Sequence, residues 1–132
     1  VDRFLADAAE AGVDGLIVSN TTVDRPPSLR GANAAEMGGL SGHPLFAMST
    51  AALRDTYRIS EGRLPLVGVG GIASGEDAYA KIKAGASLVQ LYTGLIYQGP
   101  GLVQAIIRDL RALLDRDGIT SVVDAVGMDA GA

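Results

Sequence analysis

Apolar residues are arranged along the chain in two ways, at helical spacing and in short continuous runs, and each arrangement predicts one kind of element. Four stretches carry apolar residues three and four positions apart, the period of a helix with one buried stripe. These predicted helices cover Val1–Gly12, Pro44–Leu53, Ser74–Gly85 and Pro100–Gly118. Proline suits the first turn of a helix and glycine the position after its last turn, so both residues mark these boundaries.

Three short apolar runs stand between the predicted helices, at Val13–Val18, Pro65–Val69 and Ser87–Leu91. They are too short for helices, and the first is rich in β-branched residues, as expected of a strand buried on both faces. Strands that alternate with helices predict a parallel sheet in an α/β fold. Two architectures fit this order: an open doubly wound sheet, and part of a (β/α)8 barrel, which needs roughly 250 residues in all.

Length and composition describe one compact domain with a hydrophobic core. The 132 residues are 48% hydrophobic and 20% charged, which is typical of a globular chain rather than a disordered one. The net charge is −4 and the basic residues form no patch, so nucleic acid is not an expected partner. Cysteine is absent, which excludes disulfides and thiolate zinc sites, and no spacing of metal ligands is evident.

Two further features of the sequence concern membrane insertion and the extent of the protein. No apolar stretch approaches the roughly 18 residues of a membrane span. The chain begins at Val1, inside a predicted helix, with neither an initiator methionine nor the layout of a signal peptide. We therefore expect residues 1–132 to be part of a longer protein.

A glycine-rich turn joins the second strand to the third helix, from Gly68 to Gly75. Glycines let a phosphate approach backbone N–H groups, and the start of a helix favours negative charge. Gly68, Gly70 and Ala73 match the pattern G-x-G-x-x-A, but no acidic residue stands about 20 positions further on, which disfavours NAD. The alternative is that the glycines only permit a tight turn.

Polar residues follow the other two strands as well. Tyr92, Thr93 and Gly94 come after the third strand, so two successive loops offer donors at one edge of the sheet, which favours a phosphate site. Asn20 and Thr21 follow the first strand, where an amide side chain could recognise a planar amide or a carboxylate. A turn in which these side chains cap backbone groups is the alternative.

The stretch from Ser19 to Gly42 is long for a structureless loop, which favours a functional loop. Its charged residues Asp24, Arg25 and Arg30 are expected to be solvated, although one of them could order the loop over a ligand. His43 follows the loop at a predicted helix start. It has no acid or nucleophile beside it in the sequence, so a surface or capping role is expected.

Four motifs in order and in register resemble the class 2 dihydroorotate dehydrogenase family. They are Ser19–Thr22, Gly38–Gly42, Gly68–Gly71 and Gly85–Thr93, and together they cover nearly the whole chain. Class 1 members share the second and third motifs, whereas the run from Gln90 to Pro100 is similar to class 2. Each motif alone is weak, but four in register are specific.

The resemblance implies the fold and the activity. It places residues 1–132 at the C-terminal end of one FMN-binding TIM barrel, as strands six to eight of a (β/α)8 fold. It implies an oxidoreductase that oxidises dihydroorotate to orotate in de novo pyrimidine (UMP) biosynthesis and passes the electrons to a quinone. Enzymes of this class are peripheral on the bacterial cytoplasmic membrane or the mitochondrial inner membrane.

The resemblance also assigns roles to residues at the ends of the strands. Those assigned to FMN are Ser19, Gly42, Gly70, Gly71, Tyr92 and Thr93, and those assigned to the dihydroorotate ring are Asn20 and Thr21. Leu95 and Pro100 would flank the passage of the quinone. The family's serine base and its flavin-supporting lysine belong to the N-terminal part of the barrel, so we expect this chain alone to be inactive.

Two other interpretations remain open from the sequence. One is an FMN-dependent barrel oxidoreductase that acts on a different small substrate, which Asn20 and Thr21 would then bind. The other is a non-catalytic half-barrel that binds a phosphate ligand or dimerises.

Overall fold

The computed structural model describes residue 3, residues 7 and 8, and residues 10–131. Most of the first predicted helix, including Val1, Phe4, Leu5 and Ala9, therefore lies outside the described residues. Gly12 has a φ of 67°, the left-handed conformation that is expected just after a helix.

Three parallel strands form one sheet in the order β1-β2-β3, as the alternating pattern predicts. The strands are β1 (Leu16–Val18), β2 (Leu66–Val69) and β3 (Leu88–Gln90). The helices are α1 (Phe46–Ile59), α2 (Gly75–Lys83), α3 (Thr93–Gln98) and α4 (Gly101–Arg116), with 3-10 turns at His43–Leu45 and Val122–Ala125. No helix among these described residues is both long enough and apolar enough to cross a membrane.

Within the described part of residues 1–132, only one face of β1 is buried, whereas the sequence predicts burial on both faces. Leu16 and Val18 are buried against Leu53 of α1, whereas Ile17 between them is 64% exposed. Side chains alternate between the faces of a strand, so Ile17 shares the opposite face with its register partner Val67 and, one strand further, with Leu88. Leu88 is also 65% exposed. The described helices bury one face of the sheet, and the other face carries apolar side chains that are open.

The buried side of α1 is more polar than its sequence predicts. Apolar spacing predicts a stripe that includes Met48, but the helix buries Ser49 and Thr56 alongside Leu53. The Thr56 hydroxyl donates to the Ala52 carbonyl at 2.8 Å. Ser49 donates to carbonyl oxygens as well, so both hydroxyls are buried with hydrogen-bond partners.

The short helix α3 was not predicted. Its six residues are too few to show a helical period. Gly99 ends α3 with a φ of 76°, and α4 begins immediately after Pro100. The predicted long helix is confirmed as α4, and Gly118 follows it with a φ of 70°.

The start of α2 is fixed by side chains, because Ser74 and Asp77 form a reciprocal cap. The Ser74 hydroxyl accepts a hydrogen bond from the Asp77 backbone N–H at 3.1 Å. In the other direction, the Asp77 carboxylate accepts from the Ala73 N–H at 3.0 Å, one residue before the cap. These two bonds anchor the end of the glycine-rich turn to the first turn of α2.

Removing this cap should destabilise the fold. We expect Ser74→Ala to lower the free energy of unfolding by about 1 kcal/mol, because the Asp77 N–H loses its acceptor. Ser121→Ala is a matched control, since the Ser121 hydroxyl accepts from the Val123 N–H at 3.4 Å at the start of an exposed 3-10 turn. Urea unfolding of both variants measures the difference, and equal losses would contradict a specific role for the Ser74 cap.

Candidate functional site

The carboxyl ends of the three strands open onto one cavity of about 1040 Å³. Because the strands are parallel, the loops that follow them meet at the same edge of the sheet. All eight residues predicted to bind cofactor or substrate line this cavity: Ser19, Asn20, Thr21, Gly42, Gly70, Gly71, Tyr92 and Thr93. The structure therefore brings the predicted site residues together, while their individual roles remain predictions.

Side chains tie the loops around the cavity to one another. The Thr93 hydroxyl donates to the Ser41 hydroxyl at 3.2 Å, which joins the start of α3 to the glycine loop before α1. Gly42 packs so closely against Thr93 that an added Cβ would lie 3.0 Å from its methyl carbon. On the other side, the Gln98 amide donates to the Ala73 carbonyl at 2.9 Å. The loops after β2 and β3 thus form a connected wall.

Several backbone N–H groups of this wall donate to no acceptor among the described residues, and three of them come from three different loops. These three belong to Gly42, Gly71 and Tyr92. A backbone N–H needs a partner from protein, water or ligand. Such groups at the end of a parallel sheet are the donors that a phosphate uses. The cavity wall therefore fits a phosphate group.

The glycines of the turn after β2 also meet a packing requirement. Gly70 and Gly71 have φ angles of 104° and 79°, which favour glycine. A Cβ at Gly71 would lie 2.5 to 2.7 Å from atoms of Phe46, and one at Gly70 would lie 2.8 Å from the Ser49 hydroxyl. The two interpretations of the glycine turn are therefore compatible: α1 packs against its back, while its bare backbone lines the cavity.

Asn20 is held in one orientation at the end of β1. Its side-chain oxygen accepts from the Thr21 backbone N–H at 2.7 Å, and from the Thr21 hydroxyl at 3.4 Å. The amide oxygen is thereby engaged, and the amide NH2 is the group that can donate to a ligand. An oriented NH2 group suits a carbonyl or carboxylate oxygen of a substrate.

The long loop before α1 is ordered mainly by Arg25. Its guanidinium donates to the carbonyl oxygens of Glu36 and Gly38, at 2.6 and 2.8 Å, and to two carbonyls of its own segment. Thr22 and Leu40 also pair as an antiparallel bridge. Arg25 therefore orders the loop through the loop's own carbonyl oxygens, while a role of the loop over a ligand stays a prediction. His43 lies exposed at the cavity rim.

A buried lysine, which sequence reasoning missed, lies behind the glycine turn. Lys81 of α2 is fully buried, and its Nζ donates to the Ser49 hydroxyl at 2.6 Å and to the Val69 carbonyl at 3.4 Å. The Phe46 ring centroid lies 5.2 Å from the same nitrogen. Burial lowers the pKa of Lys81 to about 8, and the negative charge of Asp77 opposes that shift.

The cavity wall itself is uncharged. No lysine, arginine, aspartate or glutamate lines it within the described residues. In the same part of the chain, no group of three histidine or carboxylate side chains could hold a metal ion. The arrangement therefore offers backbone donors, hydroxyls, the His43 imidazole and the amides of Asn20, Gln90 and Gln98, which suit an organic ligand with a phosphate group.

Comparison with known proteins identifies the family. A family profile described as dihydroorotate dehydrogenase matches residues 2–114. The chain is 58% identical over 132 residues to a dihydroorotate dehydrogenase (quinone) of Xanthobacter autotrophicus, a match that covers 97% of this chain and 37% of the relative. It is 53% identical over 122 residues to the mitochondrial dihydroorotate dehydrogenase (quinone) of Mus musculus, covering 92% and 31% of the two chains. The chain spans about a third of the length of these relatives.

Solved structures show the same likeness. Ligand-free DHODH from Eimeria tenella matches with a TM-score of 0.91 at 48% identity, over 97% of this chain and 36% of that one. The complex of this organism's DHODH with ferulenol gives a TM-score of 0.91 at 47% identity, over 99% and 35% of the two chains. The three βα units are thus part of a (β/α)8 barrel, as the resemblance implied, and not an open doubly wound sheet. From its profile, its relatives and its fold, the chain belongs to the dihydroorotate dehydrogenase family.

Proposed function

We propose that residues 1–132 form the part of a quinone-dependent dihydroorotate dehydrogenase that binds the phosphate of FMN and one edge of the dihydroorotate ring. The proposed reaction, a step of pyrimidine biosynthesis, removes a proton and a hydride from dihydroorotate to give orotate. A quinone takes up the two electrons with two protons. The names of the relatives support the activity, and we propose that the complete enzyme works at a membrane surface, where quinones dissolve.

The unsatisfied N–H groups of Gly42, Gly71 and Tyr92 are the observation that carries the cofactor assignment. They come from three loops that the fold brings to one cavity, and the hydrogen bond between Thr93 and Ser41 joins two of those loops. A phosphate that accepts from these groups would fix one end of the flavin against the strand ends. Ser19, at the end of β1, would then lie beside the flavin.

Each group of residues has a separate task in this proposal. A bound FMN would supply the hydride acceptor for dihydroorotate and the electron donor for the quinone. Asn20 donates its amide NH2 to an oxygen of the substrate, and its contact with the Thr21 N–H keeps that amide oriented. Fixing the ring against the flavin in this way places the reacting carbon for transfer and reduces the entropy that the reaction must lose.

A chimera tests the function on a complete barrel. Residues 1–132 replace the matching segment of the Xanthobacter autotrophicus relative, which supplies the other two thirds of the fold. We expect the chimera to purify with FMN and to form orotate in the presence of dihydroorotate and a soluble quinone. The 132-residue chain alone should show no turnover above that of free flavin. A folded, flavin-loaded chimera that forms no orotate would contradict the proposed substrate, and one that takes up no flavin would contradict the cofactor.

Replacing Asn20 tests its role toward the substrate. We expect Asn20→Ala in the chimera to lower kcat/KM for dihydroorotate about tenfold, because a hydrogen bond to a substrate oxygen is lost. Steady-state kinetics with varied dihydroorotate measure this change, and the FMN content should stay the same. Asn33→Ala is the control, since Asn33 is an exposed residue of the long loop outside the cavity. Equal kinetics in the two variants would refute the assignment.

A further inference from the structure

Lys81 occupies an unusual place for a lysine. It is fully buried on α2, and its contacts lie on two other elements: the Ser49 hydroxyl of α1 and the Val69 carbonyl of β2. Lysine is almost never fully buried unless its charge has partners. A buried ammonium that directs two hydrogen bonds toward the end of β2 has a more specific task than filling space.

A short chain of contacts connects this ammonium to the cavity. Nζ of Lys81 donates to the Ser49 hydroxyl at 2.6 Å, and that hydroxyl donates to the Gly70 carbonyl at 3.0 Å or to the Phe46 carbonyl at 3.1 Å. Gly70 lines the cavity and precedes Gly71, whose N–H lacks a backbone acceptor. The lysine thus acts on the turn from behind, through one hydroxyl.

A glycine of this turn makes room for the partner of the lysine. A Cβ at Gly68 would lie 3.3 Å from the Cβ of Lys81, and one at Gly70 would lie 2.8 Å from the Ser49 hydroxyl. A Cβ at Gly70 would displace Ser49 from the turn, whereas one at Gly68 would meet Ala86 and Leu53 more closely than Lys81. Gly70 therefore leaves room for the serine that links the lysine to the turn.

The charge of the cavity supplies the reason for a cation at this place. A phosphate group carries about −1.5 to −2 charges near neutral pH, yet no lysine or arginine lines the described part of the cavity. Charges separated by protein rather than water attract more strongly. A cation directly behind the N–H donors would strengthen binding of an anion without touching it.

We propose that Lys81 is a positioning residue for the phosphate of the flavin, holding the Gly70 carbonyl through Ser49 and placing a positive charge behind the turn that faces the phosphate. This inference rests on the proposed function, because it deepens the assignment of the same cavity. The lowered pKa of about 8 still leaves the ammonium mostly protonated at neutral pH. The Phe46 ring and Asp77 favour the charged form.

Comparing FMN with riboflavin, which lacks the phosphate, tests this inference in the chimera. The dissociation constants of both flavins are measured by fluorescence quenching on flavin-depleted protein, with inorganic phosphate as a competitor. We expect Lys81→Met to raise the Kd for FMN about tenfold, to leave the Kd for riboflavin unchanged and to weaken competition by phosphate. Ser49→Ala should raise the Kd for FMN in the same direction, by a smaller factor.

Lys83→Met is the matched control, because it removes the same charge two residues further along α2. The Nζ of Lys83 pairs with Asp129 at 2.8 Å, and Lys83 does not line the cavity. It should leave both dissociation constants unchanged. If Lys81→Met does not fold, the Ser49→Ala comparison decides, and equal changes for FMN and riboflavin would overturn the inference.

The outcomes separate this inference from the proposed function. A chimera that prefers FMN to riboflavin but forms no orotate refutes the proposed reaction. The role of Lys81 is then decided by the FMN and riboflavin dissociation constants of Lys81→Met. A chimera that forms orotate while Lys81→Met keeps its full preference for FMN refutes the positioning role alone. If the unaltered chimera shows no preference for FMN, the phosphate site itself is wrong and both proposals fall.

Discussion

Among glycine-to-alanine substitutions in the glycine turn, Gly71→Ala should have the largest effect on stability. The new Cβ would lie 2.5 Å from the Cβ of Phe46 and 2.7 Å from its backbone nitrogen, so the strand end and α1 would have to separate. The φ of 79° adds a further penalty for any residue with a Cβ. We expect a loss of about 4 kcal/mol in the free energy of unfolding, from the strained backbone and the overpacked contact together.

Gly99→Ala separates these two contributions. Gly99 has a nearly identical φ of 76°, but a Cβ there would meet no atom within 4 Å. It should therefore lose only the backbone part, about 1–3 kcal/mol, because its ψ of −179° lies in a region that residues with a Cβ rarely adopt. Urea unfolding of the chain with each variant gives the comparison, and FMN affinity in the chimera should fall for Gly71→Ala alone. Similar losses in the free energy of unfolding of the two variants would mean that the close contact with Phe46 does not destabilise Gly71→Ala.

Much of the site was predictable because it depends on local sequence. A parallel sheet places the residues after each strand at one edge, so finding the strands was enough to bring Asn20, Gly71 and Thr93 to one cavity. The start of α2 was predictable for the same reason, since the Ser74 cap acts within four residues. The first predicted helix lies largely outside the described residues, so its prediction stays untested.

The features that the sequence did not reveal depend on distant partners. Lys81 and Ser49 are 32 residues apart, and each one alone suggests a solvent-exposed helix position. One signal was present: Lys81 lies three residues after Ala78 and one before Ile82, on the buried side of α2. The exposed face of β1 was missed for a related reason, because an apolar run such as the one around Ile17 does not specify what covers it.

The buried state of Lys81 predicts a pH dependence of stability that few surface lysines would produce. Folding lowers its pKa from 10.5 to about 8, because burial disfavours the ammonium. Between these two values the unfolded chain holds more protons than the folded chain, so the free energy of unfolding rises with pH in that window. Below pH 8 both states are protonated, and the full penalty of burying the charge is present.

Subtracting the free energy of unfolding of the Lys81→Met variant from that of the unaltered chain isolates this contribution, because the other titrating groups are common to both proteins. The free energy of unfolding of the unaltered chain, relative to the variant, should increase by about 2 kcal/mol from roughly pH 7 to roughly pH 10. Lys83→Met, which removes a partly exposed lysine from the same helix, should give a nearly flat difference. A flat difference for Lys81→Met as well would mean that its ammonium is solvated. The positive charge behind the glycine turn would then be screened by water and too weak to act on a phosphate.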